Sequence, residues 1–138
     1  MAKHKLKAAT SLTNSCHCGL PLAFSACCGA IIAGQRQAAT AEQLMRSRYS
    51  AFCTHNKNYI LASWHVETRP QALDLDDQQQ WLGLKILKLQ DGTALHQTGM
   101  VEFVARYKVN GKASRLHEIS QFVYIDGLWF YTTGELLS

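Results

Sequence analysis

Outside one thirteen-residue stretch, the chain contains a single cysteine, Cys53. It has only two prolines in 138 residues, Pro21 and Pro70, so little interrupts regular backbone structure along most of its length. Charged residues are also sparse, at 17%, and the formal net charge is +4. With 47% hydrophobic residues, this is the composition of an ordinary globular domain rather than a disordered or polyanionic chain. The mild positive balance allows contact with nucleic acid but does not argue for it. No apolar run approaches the ~20 residues of a membrane-spanning helix. The basic start, Met1-Ala2-Lys3-His4-Lys5-Leu6-Lys7, lacks a following apolar segment, so no secretory signal is expected. The chain is therefore expected in the cytoplasm, with residues 1–14 as a flexible tail and no membrane partner.

The other four cysteines, Cys16, Cys18, Cys27 and Cys28, follow the spacing C-x-C-x8-C-C. In a reducing compartment, thiols clustered this tightly bind metal more often than they pair. Zinc needs four ligands converging at tetrahedral corners. Cys16 and Cys18 can present both sulfurs to one side if the chain turns, and Gly19 helps it turn. The adjacent Cys27 and Cys28 would point to opposite faces of a strand, but in a helical turn both can reach one ion. The spacing thus predicts a turn, a short connection and a helical turn, closing a structural site for one Zn²⁺ with no ligand position left open. The alternatives are His17 in place of one cysteine, a pair of disulfides, or four ordinary thiols. Four thiolates around one divalent ion would lower the formal charge by two. Cys53 lies on an apolar helix face and reads as an inert buried thiol.

After Gly34 a helix is expected from Thr40, where Thr40-Ala41-Glu42-Gln43 forms a capping box. Leu44, Arg48 and Ala51, with Met45, Tyr49 and Phe52, give it a face at helical period. A second helix is expected over 57–64, ended by Pro70, and one or two helical turns over 71–80. Then the pattern becomes that of strands, over 81–90, 98–109, 112–124 and 128–133. They are divided by Asp91-Gly92, Asn110-Gly111 and Asp126-Gly127, all favourable in hairpin turns. Helices followed by an antiparallel meander make an α+β fold.

Between helices and sheet, the candidate pocket residues are Arg46, Arg48, Trp64, His65, Arg106, Glu118 and Ser120. Glu118 shares a strand face with Leu116 and Phe122, so a carboxylate interrupts an apolar row. It needs a partner, and Arg106 on the neighbouring strand is the expected one. The plain reading is a structural ion pair. The sharper one is a ligand or catalytic site with His65 or Glu118 as acid or base. His65, at a helix end, also suits a capping role. Tyr124, Trp129 and Tyr131 read as cross-strand packing, with an exposed stacking platform for bases as the alternative.

The cysteine spacing, with Gly19 behind the second cysteine, resembles the SEC-C zinc motif. The stretch Leu44-Met45-Arg46-Ser47-Arg48-Tyr49-Ser50-Ala51-Phe52 resembles the signature of the bacterial YchJ family. So do Tyr59 through His65, Trp81-Leu82-Gly83-Leu84, Val101 through Tyr107, and His117 through Phe122. This resemblance implies a SEC-C knuckle at 15–34 and, at 38–138, a domain like nuclear transport factor 2: a cone of helices on a curved antiparallel sheet, of the cystatin-like kind. The segment between Cys18 and Cys27 has no lysine, unlike many SEC-C motifs, which speaks against an anion-binding knuckle. The expected function is a zinc-held binding or adaptor module for a protein or ribonucleoprotein partner. The alternative is a small-molecule carrier or an enzyme (hydrolase, lyase or isomerase type) using the cone. An open, water-filled cone lined by Glu118, Arg106 and His65 would favour the alternative. A cone filled by Trp64, Phe103 and Phe122 would favour the adaptor.

Overall fold

The structure is a computed structural model and describes residues 15–138; the expected tail over 1–14 lies outside the described residues. A 3-10 turn at Phe24–Ala26 leads into helices α1 (Cys28–Ile32), α2 (Ala41–Cys53) and α3 (Lys57–Ala62). Four strands follow: β1 (Gln79–Asp91), β2 (Thr98–Val109), β3 (Lys112–Ile125) and β4 (Leu128–Leu137). They form one antiparallel sheet in chain order, as the α+β reading requires.

Thr40 caps α2: its Oγ1 accepts from the Gln43 amide at 3.1 Å. Gln43 reaches back to the amide of Ala39, at 2.8 Å, one residue earlier than a standard capping box has it. Asn56 caps α3, accepting from the Tyr59 amide at 3.0 Å. This helix stops at Ala62, short of the expected Trp64, because the sheet captures the backbone. Ser63 O accepts from Tyr131 N at 2.9 Å, and His65 N donates to Tyr131 O at 2.8 Å. Residues 71–78 form no helix; the Asp76 carboxylate accepts from Gln78 N at 2.8 Å, and that local turn starts β1 instead.

Asn110-Gly111 and Asp126-Gly127 close two-residue hairpins, with φ of 52° and 78° in the first and 52° and 82° in the second. Asp91-Gly92 has the same signs of φ but opens a longer loop, and Gly92 O accepts from Ala41 N at 2.9 Å. Register shifts in the β1–β2 ladder and at Gln121/Phe122 bend the sheet around α2. Its concave face buries Val101, Phe103, Phe122 and Trp129 against Leu44, Met45 and Tyr49. Ile31 of α1 and Ala38 join this same core. The expected boundary near Gly34 therefore divides the chain but not the packing.

Candidate functional site: a sulfur cluster and a charged cavity

The knuckle is built by short-range hydrogen bonds. Cys16 N donates to Leu22 O at 2.7 Å, and Ser15 bridges Ala23, which turns the chain back on itself. Gly19 sits inside this turn at φ 96°, a conformation that side-chain-bearing residues rarely adopt. Cys27 ends the 3-10 turn and Cys28 opens α1. All four cysteines are free and buried, and their sulfurs lie within 4.8 Å of one another. Cys18 Sγ is 3.7 Å from Cys27 Sγ. A zinc tetrahedron with Zn–S of about 2.3 Å has edges of about 3.8 Å, so the donor set fits that ion. His17 is exposed, edge-on to Phe24 with ring centres 5.5 Å apart, and stands outside the cluster.

The electrostatics of the bare thiols point the same way. A hydrogen bond from Cys28 lowers the Cys18 thiol to about 5, against its burial. The same contact, and then burial, push Cys28 up, while burial and the contact to Cys16 raise Cys27 to about 11. One thiolate is thus held by its neighbours' S–H groups, and four require a cation. Leu20, Phe24, Ile32 and Leu84 pack around the cluster, leaving a closed site of structural type.

Contacts from α2 join the knuckle to the cone. Ser50 Oγ lies 3.6 Å from Cys16 Sγ. Arg46 Nη1 donates to Cys18 O at 2.7 Å, and its Nε to Glu42 at 2.9 Å. Arg46 was expected in the pocket, but it belongs to this joint.

Beneath the sheet lies a cavity of about 330 Å³. Arg48, Trp64, Glu118 and Ser120 line it, among Phe52, Trp81 and Leu116. Arg48 is 4% exposed. Its Nη1 donates to Ile60 O at 2.7 Å and to Ser63 Oγ at 2.6 Å. Its guanidinium lies 5.2 Å from the Trp64 ring centre and 4.4 Å from that of Tyr131. Burial lowers its pKa to about 10, opposed by Tyr131, Tyr59 and Glu118, so it stays charged at neutral pH. Glu118 Oε2 accepts from Ser120 Oγ at 2.5 Å and from the Tyr131 hydroxyl at 3.4 Å. A Cβ at Gly134 would collide with this carboxylate and come 2.7 Å from the Tyr131 hydroxyl, so a larger residue there would make the carboxylate shift.

The expected partner of Glu118, Arg106, is exposed and lies beside Arg115 in a groove on the other side of the sheet. Strand alternation explains this: Ala105 faces the cavity, so Arg106 faces away. His65 lies outside the lining; its Nδ1 accepts from Glu67 N at 3.1 Å, and its ring meets Phe130. Cys53 is half-buried, and burial raises its thiol to about 11. Tyr131, expected in cross-strand packing or on an exposed stacking platform, lines the cavity instead. It lies opposite Phe122, and counting back from the Asp126-Gly127 turn gives that register, hence the face of Glu118.

Residues 40–134 match the family model described as YchJ, middle NTF2-like domain. The chain is 46% identical over 125 residues to the UPF0225 protein SCO1677 of Streptomyces coelicolor, covering 91% of this chain and 98% of that one. It is 45% identical to a UPF0225 protein of Chromobacterium violaceum, covering 87% and 91% of the two chains. The solution structure of RPA3114, a SEC-C motif containing protein from Rhodopseudomonas palustris, superposes with a TM-score of 0.79 at 33% identity, covering 90% of this chain and 99% of that one. A crystal structure of a SEC-C motif containing protein from Psychrobacter arcticus gives a TM-score of 0.72 at 25% identity, covering 90% and 83%. With its cysteine knuckle seated on an NTF2-like cone, the chain belongs to the YchJ (UPF0225) family.

Proposed function

We propose that this protein binds a small molecule in the cone, and that the knuckle, closed by one zinc ion, is the structural lock on its helical end. The observation that carries the reading is the cavity of about 330 Å³ lined by Arg48, Trp64, Glu118 and Ser120. A cone that served only as a scaffold would gain by filling this space with side chains, since interiors pack to high density. Its size and mixed lining, aromatic with a few convergent polar groups, are those of a ligand site. Cys16, Cys18, Cys27 and Cys28 would hold the zinc, which supplies folding energy there and no chemistry in the cavity.

Two measurements test this. Metal analysis of the purified, reduced protein is expected to give about one zinc per chain; a folded, metal-free knuckle would defeat the zinc assignment. A neutral aromatic probe such as indole is expected to shift resonances of residues lining the cavity. Leu116→Trp, which fills the space, is expected to abolish those shifts, and shifts that survive it would place binding elsewhere.

A second reading, recognition of a protein or ribonucleoprotein partner, is favoured by an open groove of about 670 Å³ beside the knuckle. Phe24 and Ile32 line it on one side, and His55 and Lys57 on the other. A surface that is apolar on one wall and hydrogen-bonding on the other suits a macromolecular contact.

A further inference from the structure

The two charged groups of the cavity are each satisfied on one side only. Arg48 places Nη1 against Ile60 O and Ser63 Oγ, while its Nε and Nη2 have no hydrogen-bond partner among the described residues. No carboxylate there comes within ion-pair distance of it. Glu118 engages Oε2 with Ser120 and Tyr131, and its Oε1 has no partner. Among the described residues, the one fully occluded side-chain polar atom without a partner is Trp64 Nε1. The unpaired edges of Arg48 and Glu118 are therefore not sealed off, and both residues line the same cavity.

Tyr131 keeps the two charges apart. Its ring faces the guanidinium at 4.4 Å, and its hydroxyl reaches toward the carboxylate at 3.4 Å. Ser120 and Tyr131 hold the Glu118 carboxylate, in space that the missing Cβ of Gly134 leaves free. A buried cation and a half-buried anion lining one cavity would ordinarily be expected to pair directly, because desolvation is costly for each alone. Here they line the cavity from different elements, α2 and β3, and each keeps an edge without a hydrogen-bond partner.

We propose that the cavity takes a small zwitterion of the α-amino-acid type with an apolar or aromatic side chain; this rests on the cone being a ligand site. The carboxylate accepts from the Nε and Nη2 fork of Arg48, which matches carboxylate geometry. The ammonium donates to Oε1 of Glu118. The side chain lies among Phe52, Trp81 and Leu116. A simple carboxylate would meet the charge of Glu118, a simple amine would meet that of Arg48, and a neutral molecule would leave both edges unpaired.

The test compares four probes on the full-length zinc-loaded protein by calorimetry and by NMR of the lining residues: phenylalanine, 3-phenylpropionate, phenethylamine and indole. Phenylalanine is expected to bind at least about tenfold tighter than each of the others, since each charged hydrogen-bonded contact is worth about that factor or more. Glu118→Gln is expected to weaken phenylalanine about tenfold and to leave phenylpropionate unchanged or tighter. Arg48→Lys, which keeps the charge but loses the fork, is expected to weaken phenylalanine and phenylpropionate but not phenethylamine. A role of these residues in folding alone would not reverse the ligand order. Should Arg48→Lys fail to fold, the Glu118→Gln pattern decides. Indole binding as tightly as phenylalanine, or phenylalanine affinity indifferent to Glu118→Gln, overturns the zwitterion assignment and leaves the ligand cavity standing. Binding of none of the four overturns both.

Discussion

The knuckle and the cavity hold buried charge in opposite ways. In the knuckle, four like groups converge until their sulfurs lie within 4.8 Å, and apolar side chains close over them. Such an arrangement is stable as thiolates only around a cation, so its demand is for one particular kind of guest and for no exchange. In the cavity, two unlike groups are held apart by Tyr131, and space of about 330 Å³ remains between the walls. Convergence makes a structural site. Separation leaves each group with an unpaired edge.

The largest effect should come from emptying the knuckle. Structural zinc contributes about 10 kcal/mol or more to the folding of small modules, and α1 has only five residues, so chelation or Cys28→Ser should unfold residues 15–34. The cone should not be indifferent. Ile31 and Ala38 lie in its core, and Cys18 O accepts from Arg46 at 2.7 Å. A melt of the cone that remains cooperative but moves several degrees lower is expected, read by calorimetry, with hydrogen exchange locating the loss. An unchanged melt would mean that the joint carries no energy. Disappearance of the transition would mean that knuckle and cone are one folding unit.

A smaller effect separates the two arginines once expected in one pocket. Arg48→Met removes two charged hydrogen bonds, to Ile60 O and Ser63 Oγ, and leaves Ile60 O only the Ser63 Oγ donor at 3.2 Å, at a cost of about 1.5–3 kcal/mol. Arg106→Met, on the exposed face, should cost less than about 0.5 kcal/mol. Urea unfolding of both variants measures the contrast. Equal losses would show that Arg48 is no more tightly built into the structure than a surface residue.

The same contrast explains what could be read from the sequence. C-x-C-x8-C-C brings its four sulfurs together through local turns, so the cluster was legible before any tertiary contact was known. The Asn-Gly and Asp-Gly turns fixed two hairpins, and Thr40 fixed a helix start, for the same local reason. The cavity depends on long-range packing. Arg106 and Arg48 were equally basic candidates, and one residue of strand alternation turned Arg106 away from Glu118. Trp64 carried a helical pattern, yet its flanking backbone hydrogen-bonds to Tyr131 sixty-odd residues later in the chain, a contact that no local propensity encodes. The polar run over 71–80 had the residues of a helix but no apolar face to dock, and Asp76 found a turn instead.

The smallest effect tests the wall between the charges. Burial, and then the carboxylate of Glu118, raise the Tyr131 phenol from near 10 to about 12, with Arg48 opposing. Burial also raises Tyr59, against its contact with Ser47 and the charge of Arg48. In the unfolded chain both phenols ionise near 10. The folded state therefore binds these protons more tightly. The stability this gives is fully present below pH 10 and is lost as the pH rises through about 12. Tyrosinate absorbance should include a late stage near 12 from Tyr131. Glu118→Gln removes the anion that opposes ionisation of Tyr131, so the late stage should begin at lower pH in that variant. If the late stage does not move, Glu118 does not act electrostatically on Tyr131. The hydroxyl contact at 3.4 Å would then be packing alone, and the cavity would resemble the knuckle in having its charge settled within the protein.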